Sequence, residues 1–255
     1  MIKNYMKKIA ITIASAGLII SMGTMVASAE ATAKTSSSTE AATKAAQAQQ
    51  NQQQRLANIK SKGDAEINRR LSSLNKLSDR ISSDTRLSAS DKSALTSQVS
   101  TEISNLTTLK TKLDGETTLD AASADAKSII SDYRVYALIV PKVMLIRTAD
   151  DQLIVEDKLT TLSTKLQARI SAAQTAGKDV SSLNTLLSDL NTQVANSKAI
   201  SASIEQKVIN LQPSDYDSDH TILTGDKTQL QTAHQANAKA LQDAKNIAQG
   251  LKNLE

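Results

Sequence analysis

The chain has 255 residues, 40% of them hydrophobic but only 2% aromatic, with no Phe, Trp or Cys. Lacking cysteine, it has no disulfide, no thiolate nucleophile and no cysteine-ligated metal centre. Two Pro and seven Gly are too few to turn an all-β chain every ~8–12 residues, and they exclude a collagen-like or proline-rich chain. The expected class is therefore all-α.

Lys3, Lys7 and Lys8 make a basic start, and Ile9 to Val26 is uncharged and apolar or small. Ala27-Ser28-Ala29 then has the form of a signal-peptidase site. Residues 1–29 read as a secretory signal peptide cleaved after Ala29. The other reading is an uncleaved anchor, because the apolar run of 18 residues is near the lower limit for a bilayer span. A lipid-anchored protein is excluded, since that anchor needs a cysteine.

The whole chain carries 30 basic and 26 acidic residues, a net +4. The leader takes three of the basic residues and none of the acidic ones, leaving 27 against 26. The mature chain has no strong field to attract nucleic acid or an anionic membrane, and no Phe or Trp on which bases could stack. No nucleic-acid partner is expected, and no membrane span remains once the signal is cleaved.

Residues 30–54 contain no Leu, Ile, Val or aromatic side chain. Such a segment buries too little to repay its ordering entropy and reads as a flexible polar spacer, becoming helical near Ala45. It is either a stalk that holds the folded part off a surface or a tail left after export.

Residues 55–255 are expected to form the helical domain. Leu56, Ile59, Gly63, Ile67, Leu71, Leu74, Leu77 and Ile81 step by three or four, one face of an amphipathic helix. Ser88 and Asp91 have capping-box spacing, with Asp replacing the usual Glu. A second helix follows on Leu95, Val99, Ile103, Leu106, Leu109 and Leu113, with Gly115 as its C′ residue. A third starts near Thr118 and reaches Pro141, where it either kinks or gives way to a new helix.

The fourth helix runs on Leu145, Ala149, Leu153, Val155, Leu159, Leu162, Leu166, Ile170 and Ala173, and stops at Gly177. The fifth uses Val180, Leu183, Leu187, Leu190, Val194, Ile200, Ile204 and Val208, and stops before Pro213. The sixth, about 224–251, has a thin face of Leu230, Ala233, Ala240, Ala244, Ile247 and Leu251. Joined by short turns, five to six long helices must fold back to hide their stripes. The expected architecture is one elongated antiparallel bundle, kinked or broken at Pro141. Lys76–Ser82 is echoed by Lys165–Ser171, either as a duplicated αα-hairpin or by chance in a low-diversity alphabet.

Five glycines lie beyond residue 29, at 63, 115, 177, 225 and 250. They are too dispersed for a phosphate-cradling loop or a nucleophile elbow. The adjacent acids Asp150 and Asp151, and Glu156 and Asp157, point to different helix faces and form no working pair. Of the two histidines, His220 and His234, the second falls on the last helix as a surface or seam residue. No catalytic residue, no cofactor-binding residue and no enzyme activity is expected.

Two features stand out. Asp215, Asp217 and Asp219 alternate, and Asp226 falls at the twelfth position, a spacing close to an EF-hand calcium loop. His220 stands where that loop needs glycine, and Asp226 is shorter than the usual bidentate Glu. The segment is either a calcium (Ca2+) site or an Asp-rich connection whose side chains cap backbone N–H groups. The second feature is the apolar run from Val135 to Ile146. It is too short to cross a bilayer and is either buried at the bundle centre or a contact patch of Tyr133, Tyr136, Ile139 and Met144.

Asp132-Tyr133-Arg134-Val135-Tyr136-Ala137-Leu138 with Pro141, Ala176-Gly177-Lys178-Asp179 and Gln249-Gly250-Leu251-Lys252 together resemble a group of uncharacterised secreted helical proteins from ultra-small episymbiotic bacteria. The resemblance spans about residues 56–252. It implies a bacterial exported protein and brings no activity and no functional residues. The expectation is an exported, non-enzymatic helical bundle, secreted or associated with the cell envelope, which binds a protein or envelope component. The alternative is a calcium-responsive module built on residues 215–226. The oligomeric state is open.

Overall fold

The computed structural model describes the backbone of residues 29–254 and the side chains from residue 39. But for Ala29, the signal peptide expected over 1–29 lies outside the described residues. The helices are α1 (Ala29–Ser83), α2 (Ala89–Gly115), α3 (Leu119–Ser131), α4 (Val140–Thr175), α5 (Ser181–Ile209), α6 (Pro213–Ser218) and α7 (Asp226–Leu254), with a π-helical turn at Val135–Ile139. No strand occurs among the described residues, and the fold is all-α.

The chain divides into two units after Gln50. In the first, the described residues are the leading part of α1, and side chains 39–50 are exposed. They are held locally, as by the Glu40–Lys44 ion pair at 2.6 Å. The stretch 30–54, expected as a spacer that becomes helical near Ala45, is helical from its start. Ala, Gln, Lys and Glu are strong helix formers, and a helix closes its backbone bonds without any outside partner.

In the second unit α1 and α2 run antiparallel. Lys92 Nζ reaches the Ser82 carbonyl at one end of the pair, and Lys60 Nζ reaches the Asp114 carbonyl at the other. α4 and α5 are likewise antiparallel, with Ser163 meeting Asn191 and Asp157 meeting Lys198. α7 returns along α5, so that Lys207 pairs with Asp226 and Gly250 lies on Leu183. The two copies of the Lys76/Lys165 echo both sit in a helix that turns back into the next, α1 into α2 and α4 into α5.

Two apolar cores result. One joins α1, α2 and α3 to the start of α4, the end of α5 and Leu230. The other joins the later part of α4, the first part of α5 and the end of α7. Every apolar residue expected on the thin stripe of α7 is buried.

The break expected at Pro141 lies earlier. α3 ends at Ser131, Arg134 takes a left-handed φ of 40°, and the π turn runs into α4 without interruption. Pro141 occupies the first turn of α4. Proline has no N–H to donate and collides with the carbonyl one turn back; the wide π turn places that difficulty where the helix is still opening. Gly177 has the positive φ of a C′ residue (78°), as does Gly225 (89°) before α7. Gly115 does not, and α2 ends instead on Glu116 in extended conformation.

Candidate functional site

The four carboxylates of the Asp-rich segment do not converge. Residues 213–218 form the short helix α6, in which Asp215 accepts the Gln212 N–H at 2.7 Å. Asp217 pairs with Arg134. Asp219 accepts the hydroxyl and N–H of Thr221 at 2.6 and 2.8 Å, and these two bonds hold its carboxyl below the usual range. Asp226 is buried and receives Lys207 Nζ on both oxygens, at 2.9 and 3.0 Å. Each serves a different partner.

The convergent group is elsewhere. Asp91 in the first turn of α2, Asp150 on α4 and Glu205 on α5 each place a carboxylate oxygen within 4.8 Å of the other two. The Ser88–Asp91 capping box is half made. Ser88 Oγ accepts the Asp91 N–H at 3.1 Å, but the Ser88 N–H donates to Asp150 Oδ2 at 2.8 Å. Asp150 has taken the position that a third-residue carboxylate fills in a complete box. The Asp91 carboxylate is thereby free of capping, and its Oδ2 is buried with no hydrogen-bond partner.

Basic groups near in sequence have other partners. Lys92 reaches Ser82, Arg86 pairs with Asp151, Arg147 with Asp84 and Lys207 with Asp226. Burial, with the like charge of Asp91 added, pushes Asp150 up to about 6 even though it accepts the Ser88 N–H. Burial and the charges of Asp91 and Asp150 push Glu205 up to about 7.

A second polar group lies between the two cores. Glu156 is 0% exposed. Its Oε1 accepts from Ser197 Oγ, from Ser201 Oγ at 3.1 Å and from Asn237 Nδ2 at 3.4 Å. Asn237 also donates to Gln152 Oε1 at 2.8 Å. Glu156 Oε2 and Asn237 Oδ1 are buried without partners. As expected, the acids adjacent in sequence face apart: Asp151 and Asp157 point outward to Arg86 and Lys198.

Sequence periodicity misses this layer because it puts Leu153 and Val155 on the α4 stripe. The stripe that is buried steps through Ala149, Gln152, Glu156, Leu159, Ser163, Leu166 and Ile170, while Ile154 and Val155 are exposed. The available signal was the interruption of three-to-four stepping. The gap from Ala233 to Ala240 holds Asn237, and the gap from Val194 to Ile200 holds Ser197.

The apolar run Val135–Ile146 is divided. Val135, Leu138, Ile139, Val143 and Ile146 are buried, so the burial reading holds for them. Of the expected contact residues, Ile139 is inside and Tyr133 half-buried, while Tyr136 is 41% and Met144 63% exposed. Arg69 and Arg70 stack over the Tyr136 ring at 5.1 and 5.3 Å. Met144 borders a surface groove with Leu77, Arg80, Arg86 and Arg147.

No family model, no curated protein and no solved structure matches this chain. Among the described residues no helix is long and apolar enough to cross a membrane.

Proposed function

We propose that this is an exported, non-enzymatic helical bundle of bacterial origin that acts outside the cytoplasm by binding a protein of the cell envelope. The export reading rests on the basic, apolar and small-residue succession of residues 1–29. The binding reading rests on one observation: large apolar side chains stand exposed where α3 passes into α4, Ile130 at 53%, Tyr136 and Met144. Apolar side chains rimmed by polar ones are the usual composition of a contact surface, and the guanidinium groups of Arg69, Arg80, Arg86 and Arg147 supply that rim.

Cell fractionation with N-terminal sequencing tests the first part, and a photo-crosslinker at position 144 tests the second. The expected result is a mature chain beginning at Glu30 and a discrete envelope adduct that disappears with Tyr136→Ser. Retention of the chain in the cytoplasm, or the same adduct pattern from a crosslinker at exposed Thr161 of α4, would overturn the reading.

A further inference from the structure

We propose that Asp91, Asp150 and Glu205 bind one hard divalent cation, of the calcium, magnesium and manganese class, which ties together α2, α4 and α5. Three helices bring three carboxylates to one point, with oxygens within 4.8 Å of each other. Asp91 is 5% exposed, and its carboxylate, whose Oδ2 is buried and unpartnered, belongs to this cluster. A buried anion without a hydrogen bond or counter-charge is costly. Asp150 and Glu205 add like charge beside it, and the basic side chains close in sequence are committed to other acids or to a carbonyl.

The donor set selects the ion. Only carboxylate oxygens are present, without His or Cys, which suits hard cations rather than zinc. Oxygens bound at ~2.0–2.6 Å around one ion lie ~3–5 Å apart, so the observed spread needs little movement. The site shares no residue with the envelope-binding surface or with the Asp215–Asp226 segment.

The test is titration calorimetry on the full chain, stripped with EDTA and dialysed, with CaCl2, MgCl2 and MnCl2 in turn at pH 7.5, and a thermal melt of each mixture. The expected result is one equivalent bound for at least one ion, with a higher melting temperature. Asp91→Asn and Glu205→Gln should each weaken binding at least tenfold. Both should keep the helical circular dichroism and melt, free of metal, no lower than the parent, because each removes a repelling charge. Should Asp91→Asn fail to fold, Glu205→Gln carries the test alone. No heat and no melting shift with any ion at millimolar concentration would overturn the proposal and leave shared protons as the neutralising species. Binding undiminished in both variants, or binding lost instead in Asp217→Asn with Asp219→Asn, would overturn it equally.

Discussion

Gly63→Ala probes how closely α1 approaches α2. A β-carbon at Gly63 would sit far inside contact distance of Leu113 Cδ2 and 3.5 Å from Ile129 Cδ1. Leu113 and Ile129 are both fully buried in the first core, so the Leu113 side chain has to shift among packed neighbours. Alanine in place of a mid-helix glycine gains about 1 kcal/mol of helix propensity. Forcing a methyl group into a filled core costs ~1–3 kcal/mol. The net expectation is a loss of up to about 2 kcal/mol, or up to ~8 °C in melting temperature for a unit of this size.

Gly115→Ala is the control. Nothing lies within 4 Å of its added β-carbon, so it should hold or gain up to about 1 kcal/mol. Leu113→Ala alone should lose ~2–5 kcal/mol through the cavity it opens. In that background Gly63→Ala should turn stabilising, because the new methyl group enters vacated space. The double-mutant cycle should therefore show coupling of ~1–3 kcal/mol, read from urea titrations followed by circular dichroism. Gly63→Ala as stabilising as Gly115→Ala, with no coupling to Leu113, would refute the close packing of α1 on α2.

Two further outcomes follow from buried polar groups. Glu156→Gln should raise stability by about 1 kcal/mol, since it removes a buried charge and keeps an acceptor for Ser197 and Ser201, whereas Glu156→Ala should cost ~2–4 kcal/mol by leaving several donors without an acceptor; a fall in the melting temperature with Gln would contradict this reading. Lys142 is 1% exposed and donates to the Leu211 carbonyl at 2.8 Å; burial lowers it to about 8, against the pull of Glu102 and Asp215. A depressed folded-state value means stability present above the ordinary lysine range and lost as pH falls to about 8. The stability of the parent should therefore rise between pH 8 and 10 relative to Lys142→Met, and equal slopes in the two proteins would exclude a strained Lys142. Glu102 works in the other direction, since burial raises it to about 7, so its contribution is lost as pH rises from about 4.5 to 7.

Much of the fold was legible without coordinates because a helix declares itself locally. The three-to-four stepping along α1, α2, α5 and α7, the start near Thr118 and the stop at Gly177 depend on residues within a turn or two of each other. The same local logic separated Asp150 from Asp151 and Glu156 from Asp157. It failed where hydrophobicity and position disagree. Leu153-Ile154-Val155 is more apolar than its neighbours, yet a rigid helix can turn only one face inward, and Leu159, Leu166 and Ile170 decide which. Ile154 and Val155 are consequently outside, with Gln152 and Glu156 inside. The break before α4 was displaced for a related reason, because Arg134 takes its left-handed conformation with Asp217, 83 positions away, as its ion-pair partner.

What the sequence determined by itself is the all-α class, the helix stripes and the exclusion of cysteine and glycine-loop chemistry, because these rest on composition and short-range geometry. The meeting of Asp91, Asp150 and Glu205 was decided by the tertiary structure alone. Their positions, on three separate helices, follow no spacing that a single helix could display. Only the packing of α2, α4 and α5 carries Asp150 to the Ser88 N–H, leaves the Asp91 carboxylate free of a capping role and brings three ordinary helix acids into one largely buried cluster.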